Sequence, residues 1–312
     1  MQHTVSVDLE RKDIMIVKKV VILGGGVLGS QIAYQSAFSG IKTVIYDISD
    51  EAVQQAQQKI DSYPQQYKQD IGATDEQVQA ANANLSLTTD MKAAATDADV
   101  IIEAVPERLD IKESTYKSLA PYITDQTLLL TNSSTLIPSQ LIDFAPNKKR
   151  FMAMHFANLI WTHNVAELMW AKDTPQATID DAEAFAKQIH MIPILIHKEI
   201  SGYIMNSIFL PMINAALKLW ANGYSDPLSI DKNWMVSMGV DRGPFGFLDI
   251  MGLNTAVNIE MGFYQNTHDE DYKKIADKLT EYVQDNKLGV ASGEGFYHYP
   301  NPAYQDPAFL KA

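Results

Sequence analysis

Through the first 200 residues, short apolar runs alternate with stretches whose apolar positions recur every three or four residues. Short runs bounded by turn residues predict buried strands, and the 3.6-residue recurrence predicts helices. Strands are expected at 17–23, 42–46, 85–88, 100–105, 128–131, 151–156, 165–169 and 193–196. Helices are expected at 30–40, 50–68, 73–83, 112–120 and 178–189, with Pro64 kinking or breaking the second. Alternation of this kind builds a doubly wound, mainly parallel α/β sheet.

The pattern changes after Glu199. One long, mostly apolar helix is expected over 202–222 with Pro211 inside it, then helices at 229–238, 245–262 and 271–285 and a glycine-rich turn at 292–297. No strand pattern returns. The prediction is therefore a disordered extension over 1–16, a sheet domain over 17–199 and an all-helical C-terminal domain over 200–312. A long apolar helix needs cover on several sides, which suits a homodimer formed through the helical domain.

Composition narrows the picture. The chain has 312 residues, 46% of them hydrophobic, which is enough for two cores. A net charge of −13 argues against nucleic acid or an anionic membrane as partner. The absence of cysteine excludes disulfides, thiolate metal ligands and a cysteine nucleophile. No apolar stretch is read as long enough to cross a membrane, and residues 1–13 lack a signal-peptide core, so a cytoplasmic enzyme is expected. No cluster has metal-ligand spacing, and no metal is expected.

The first predicted strand runs into Gly24-Gly25-Gly26-Val27-Leu28-Gly29, a Gly-x-Gly-x-x-Gly turn that opens a helix, and the second strand stops at Asp47. Strand, glycine turn, helix, strand and acid form the layout of a Rossmann-type fold that sets a dinucleotide pyrophosphate on a helix N-terminus. Gly24 would permit the tight turn, Gly26 the approach of the phosphates and Gly29 the packing of helix on strand. Asp47 would accept hydrogen bonds from both adenine-ribose hydroxyls. Ile48, Ser49, Asp50 and Glu51 follow with no arginine for a 2′-phosphate, which favours NAD over NADP.

Open α/β sheets bind ligands beyond the carboxyl ends of their strands. Two polar loops stand there: Thr131-Asn132-Ser133-Ser134-Thr135, and His155-Phe156-Ala157-Asn158 with Glu167 beyond it. Imidazole titrates near neutral pH, so His155 is the candidate general base and acid. Antiparallel pairing of its strand with the next would bring Glu167 beside it, where a carboxylate fixes the tautomer and stabilises the imidazolium. An ordinary strand-edge carboxylate is the alternative.

These pieces resemble the 3-hydroxyacyl-CoA dehydrogenase family, in order, from about Lys18 to Tyr299. The nucleotide turn matches Gly24, Gly26 and Gly29 with flanking Val27 and Leu28, and the ribose acid matches Asp47. "IIEAV.E" matches Ile101 to Glu107, with Lys112 shortly after; the resemblance puts Glu107 and Lys112 near the nicotinamide half of the cofactor. "SNTSS" matches Thr131 to Thr135, with Asn132 on the cofactor side and Ser134 as the catalytic serine. "HFFNP" matches His155 to Leu159, which makes His155 catalytic with Glu167 as partner and Asn158 near the substrate. "GF..NR...P" matches Gly202-Tyr203, Asn206-Ser207 and Pro211, putting the family's active-site asparagine at Asn206. "GPFE..D..GLD" and "GEGFY" match Gly243-Pro244-Phe245 with Asp249, and Gly293 to Tyr297.

The resemblance implies interconversion of (S)-3-hydroxyacyl-CoA and 3-ketoacyl-CoA with NAD. The departures are Leu159 for proline and Ser207 for arginine; the stretch His155 to Met169, with "GVLGSQIA", "TNSSTL" and "GY..NS" elsewhere, is closer to a bacterial branch that includes diketoreductase. That branch implies the alternative, reduction of small β-keto esters, diketones or sugar acids without CoA. Residues 50–90, where the family holds CoA, carry Lys59 and Lys68 against seven carboxylates. The two lysines could bind CoA phosphates if they converge.

Overall fold

The computed structural model describes residues 14–311, which divide into two compact units, the first ending at Ile204 and the second beginning at Met205. The predicted extension lies outside the described residues over 1–13. Within 14–16, Met15 is held by its N–H donating to Asp181 Oδ1 at 3.2 Å.

In chain order the first unit holds β1 (Lys19–Leu23), α1 (Val27–Phe38), β2 (Lys42–Tyr46), α2 (Asp50–Ile60), α3 (Tyr63–Ile71), α4 (Asp75–Asn84), β3 (Leu85–Thr88), α5 (Met91–Ala95) and β4 (Val100–Glu103). It continues with α6 (Leu109–Leu119), β5 (Leu128–Thr131), α7 (Pro138–Leu141), β6 (Phe151–Phe156), β7 (Val165–Met169), α8 (Gln176–Gln188) and β8 (Ile192–Ile196). The predicted helix over 50–68 is two helices, because Pro64 can start α3 but cannot continue α2.

The strands form one eight-stranded sheet in the order β3-β2-β1-β4-β5-β6-β7-β8. Every pairing is parallel except β6 with β7. Side chains alternate across the sheet, so each strand feeds two cores. Ile22, Ile102, Leu130 and Met152 pack into one, and Val21, Ile101, Leu129 and Phe151 into the other. All eight are at most 1% exposed. Burial of a side chain of this size is worth about 1.5–3 kcal/mol, which fixes register and thereby which residues emerge at the strand ends.

Helix α9 (Tyr203–Ala221) leads from the first unit into the second, which holds α10 (Pro227–Met238), α11 (Pro244–Met251), α12 (Leu253–Thr267) and α13 (Glu270–Gln284). The helix expected over 245–262 is divided at Gly252, whose φ of +88° ends α11. At 19 residues with mean hydropathy 1.3, α9 has the length and composition of a membrane span, which corrects the reading that no stretch does. The acid and glycine motifs of this unit act together. Asp249 accepts from the N–H groups of Phe296 and Tyr297, and a Cβ on Gly295 would overlap that carboxylate at 2.0 Å.

Candidate active site

The glycine turn is shaped by contacts that only a missing side chain allows. Gly24 has φ +101°, and its N–H donates to the Tyr46 carbonyl at 2.8 Å. A Cβ on Gly29 would lie 1.9 Å from the Gly24 oxygen, so α1 reaches the turn at that glycine only. A Cβ on Gly26 would meet nothing within 4 Å, and α1 has no side-chain cap. The N-terminal N–H groups at Gly26, Val27 and Leu28 are therefore open to an anion, favoured there by the helix dipole.

Asp47 follows β2 and faces the same turn. Its Oδ2 accepts from the Gly25 N–H at 2.7 Å and its Oδ1 from the Ile48 N–H at 2.8 Å. Two acceptor positions per oxygen leave room for ribose hydroxyls. Asp47 lines a cleft with Gly24, Tyr46, Ile48, Met91 and Val105, a slot of mixed polarity suited to an adenosine.

Glu103 ends β4 fully buried and accepts from Lys112 Nζ at 2.7 Å, Tyr116 OH at 2.8 Å, Thr131 Oγ1 at 2.8 Å and the Val105 N–H at 3.0 Å. Such partnering is what makes a buried ion pair tolerable. Lys112 is 1% exposed, so it faces the cleft only through Glu107, 3.4 Å from its Nζ. Glu107 Oε1 also accepts from Ser133 Oγ at 2.5 Å, the Thr135 N–H at 2.7 Å and Thr135 Oγ1 at 2.8 Å. Burial opposes the charge of Glu107, but these donors and the Lys112 ammonium outweigh it and hold the carboxyl down to about 2.

His155 and Glu167 stand directly opposite across the antiparallel β6–β7 pair. Opposed residues project to the same face at contact range. His155 Nδ1 lies 3.0 Å from Glu167 Oε2, and Nε2 lies 3.1 Å from Ser134 Oγ. The carboxylate can only accept, so Nδ1 carries the proton and Nε2 presents its lone pair. Asn132 joins the two loops, its Oδ1 accepting from the Phe156 N–H at 3.1 Å and its amide nitrogen left for a ligand. The sheet thus brings Ser134, His155 and Glu167 together, with Glu107 and Asn132 on the next strand ends.

Other candidates stand apart from that group. Asn158 lies exposed past the end of β6, its carbonyl accepting from His163 Nδ1 at 2.9 Å. Leu159 has φ +59°, which proline cannot adopt, so the loop follows a path unlike that of the "HFFNP" motif. Lys59 donates to the carbonyl of Gln55 on its own helix, and Lys68 pairs with Asp75. Asn206 lies in the second unit, on the first turn of α9. Sequence reasoning missed Gly25, whose N–H orients Asp47, and Gln31, whose Oε1 accepts from the Leu159 N–H at 2.8 Å. It also gave no role to Tyr203, stacked on His155 with ring centroids 4.3 Å apart.

The chain matches two family models. One, the 3-hydroxyacyl-CoA dehydrogenase NAD-binding domain, covers residues 19–200, and the other, the C-terminal domain of the same enzymes, covers 202–299. The mitochondrial hydroxyacyl-coenzyme A dehydrogenase of Homo sapiens is 27% identical over 290 residues, 91% of this chain and 92% of that protein. A probable 3-hydroxybutyryl-CoA dehydrogenase of Bacillus subtilis is 27% identical over 285 residues, 91% and 98% of the two chains. Among solved structures, a diketoreductase that catalyses reactions of dicarbonyl compounds shares 39% identity and a TM-score of 0.86, over 92% of this chain and 100% of that one. The (S)-3-hydroxybutyryl-CoA dehydrogenase of Ralstonia eutropha shares 28% identity and a TM-score of 0.78 over the same proportions.

Proposed function

The chain belongs to the 3-hydroxyacyl-CoA dehydrogenase family, and on that premise we propose that it interconverts (S)-3-hydroxyacyl-CoA and 3-ketoacyl-CoA with His155 as acid and base. It is an NAD-dependent oxidoreductase of that family. The glycine turn fits the cofactor: the space at Gly26 is open, the N-terminus of α1 is uncapped, and Asp47 offers a carboxylate that would repel a 2′-phosphate. NAD, when bound, supplies the hydride acceptor or donor.

The protein's own residues handle the proton. His155 Nε2 accepts it from the 3-hydroxyl in oxidation and returns it in reduction. Glu167 keeps Nδ1 protonated and stabilises the imidazolium. Ser134 Oγ donates to the reacting oxygen or its neighbouring carbonyl, where charge develops. Asn206 enters by its place in the family motif. The observation that carries the reading is the imidazole held between Glu167 and Ser134 at the strand ends that also carry the glycine turn.

Absorbance of NADH with acetoacetyl-CoA and with a free diketo ester tests it. Oxidation of NADH by acetoacetyl-CoA at the higher kcat/KM is expected. A second reading, reduction of small dicarbonyl compounds without CoA, is favoured by two observations. The diketoreductase shares 39% identity, and both lysines of 50–90 are engaged within an acidic segment. Turnover of the free ester alone would establish it. We also propose a cytoplasmic homodimer. Ile208, Leu219, Val236 and Met238 leave an apolar surface exposed on the second unit, and sedimentation at twice the chain mass is the expected result.

A further inference from the structure

Four consecutive residues bind the catalytic loop and the catalytic pair at once. Ser201 Oγ donates to the Thr135 carbonyl at 2.8 Å, the Gly202 N–H to the Ser134 carbonyl at 3.1 Å and the Tyr203 hydroxyl to the Ser133 carbonyl at 2.8 Å. The Ile204 N–H donates to Glu167 Oε1 at 2.9 Å. Between these contacts the Tyr203 ring lies flat on the His155 imidazole, 12° from parallel. Gly202 and Tyr203 both take left-handed backbone, with φ +83° and +56°. For tyrosine that conformation is costly and persists only where surrounding contacts over-determine it. Tyr203 is 1% exposed, and the family motif set out above has phenylalanine at this place.

We propose that Tyr203 is a positioning residue for the proton-transfer group. Its ring fixes the rotation of the His155 imidazole and offers an electron-rich face to the imidazolium. Its hydroxyl fixes the Ser133-Ser134 backbone, so that Ser134 Oγ stays beside Nε2, within reach of the oxygen whose proton Nε2 takes. Phenylalanine would do the first of these and not the second. Burial, then the nearby carboxylates Glu107, Glu167 and Glu103, push the phenol well above its ordinary range, so the hydroxyl stays a donor. The groups that meet the imidazole are Glu167 from β7, Ser134 from the loop after β5 and Tyr203 itself.

The inference rests on His155 as acid and base, and the test separates the two claims. Tyr203→Leu keeps the imidazole covered but removes the π face. It should lower kcat about 10- to 100-fold, the cost of a small misplacement, with KM for NADH unchanged. The pH limb of kcat/KM should move about half a unit to lower pH, since a cation–π contact of this size stabilises the imidazolium. Tyr203→Phe should leave that limb in place and lower kcat several-fold. Wild-type kcat and pH limb in Tyr203→Leu overturn the proposal. If that variant fails to fold, Tyr203→Phe decides: a wild-type kcat overturns the proposal, and a several-fold fall at unchanged NADH affinity supports it. Wild-type turnover in His155→Gln would instead sink the acid–base assignment itself.

Discussion

An imidazole serves as base at Nε2 only while its other nitrogen is protonated, and here that condition is met by one carboxylate across a strand pair. Glu167→Gln places an amide where the acceptor was and allows the wrong tautomer. The expected outcome is a fall in kcat of about 10²–10⁴-fold, the range lost with a general base, while NADH binding followed by fluorescence stays intact. Asp47→Ala should do the reverse, weakening NAD about 10- to 100-fold with little change in kcat, because charge-assisted hydrogen bonds to the ribose are lost. The pairing of His155 with Glu167 was legible from two apolar runs and the prospect of antiparallel pairing. Tyr203 was not, since its stacking depends on where a distant turn returns to the sheet. Gly25 was hidden for a related reason: its role is a tertiary contact to Asp47, outside the spacing of the motif.

At the scale of elements, the glycine turn separates binding from folding. Gly26 has φ −62° and open space where its Cβ would be, so Gly26→Ala should melt within a degree or two of wild type and yet lose NADH affinity. Gly29→Ala drives a methyl into the Gly24 carbonyl, so both the melting temperature and NADH affinity should fall. Differential scanning fluorimetry with and without NADH checks both; a Gly26→Ala protein that binds NADH normally would remove the turn from the cofactor site. The strands at 128–131 and 151–156 match β5 and β6 because a strand buried on both faces is a nearly unbroken apolar run; those at 42–46, 85–88 and 165–169 match β2, β3 and β7, and the edge strand β3 shows itself by the alternation Leu85-Ser86-Leu87-Thr88 instead. Helix limits were read less well, because proline and glycine decide them through backbone angles, as at Pro64 and Gly252. Short α5 and α7 carry too few residues to show a period.

Across the whole molecule, shifted carboxyls in the two units contribute to stability at opposite ends of the pH range. Glu107 in the first unit is held down to about 2 from an ordinary 4.5. Its stabilising contribution is therefore present above pH 4.5 and lost as pH falls toward 2. In the second unit burial raises Asp231 to about 6 and Glu260 to about 7, the latter against a smaller opposing pull from Lys218. Raised acids favour the folded state when protonated, so their contribution is full near pH 4 and lost as pH rises through 6 and 7. Glu260 is 2% exposed, and its Oε2 has no hydrogen-bond partner. At pH 8 it holds a charge in the helical core that the pull of Lys218 offsets only in part. Glu260→Gln removes that charge and should raise stability at pH 8 by up to about 3 kcal/mol. At pH 4, where the carboxyl is largely neutral in both the folded and the unfolded chain, the variant and wild type should unfold at nearly the same urea concentration. Urea midpoints between pH 4 and 8 decide the matter. A variant less stable than wild type at pH 8 would mean that the Glu260 charge is compensated in solution, and the steep pH dependence assigned to the second unit would then have to come from Asp231 and Asp249 alone.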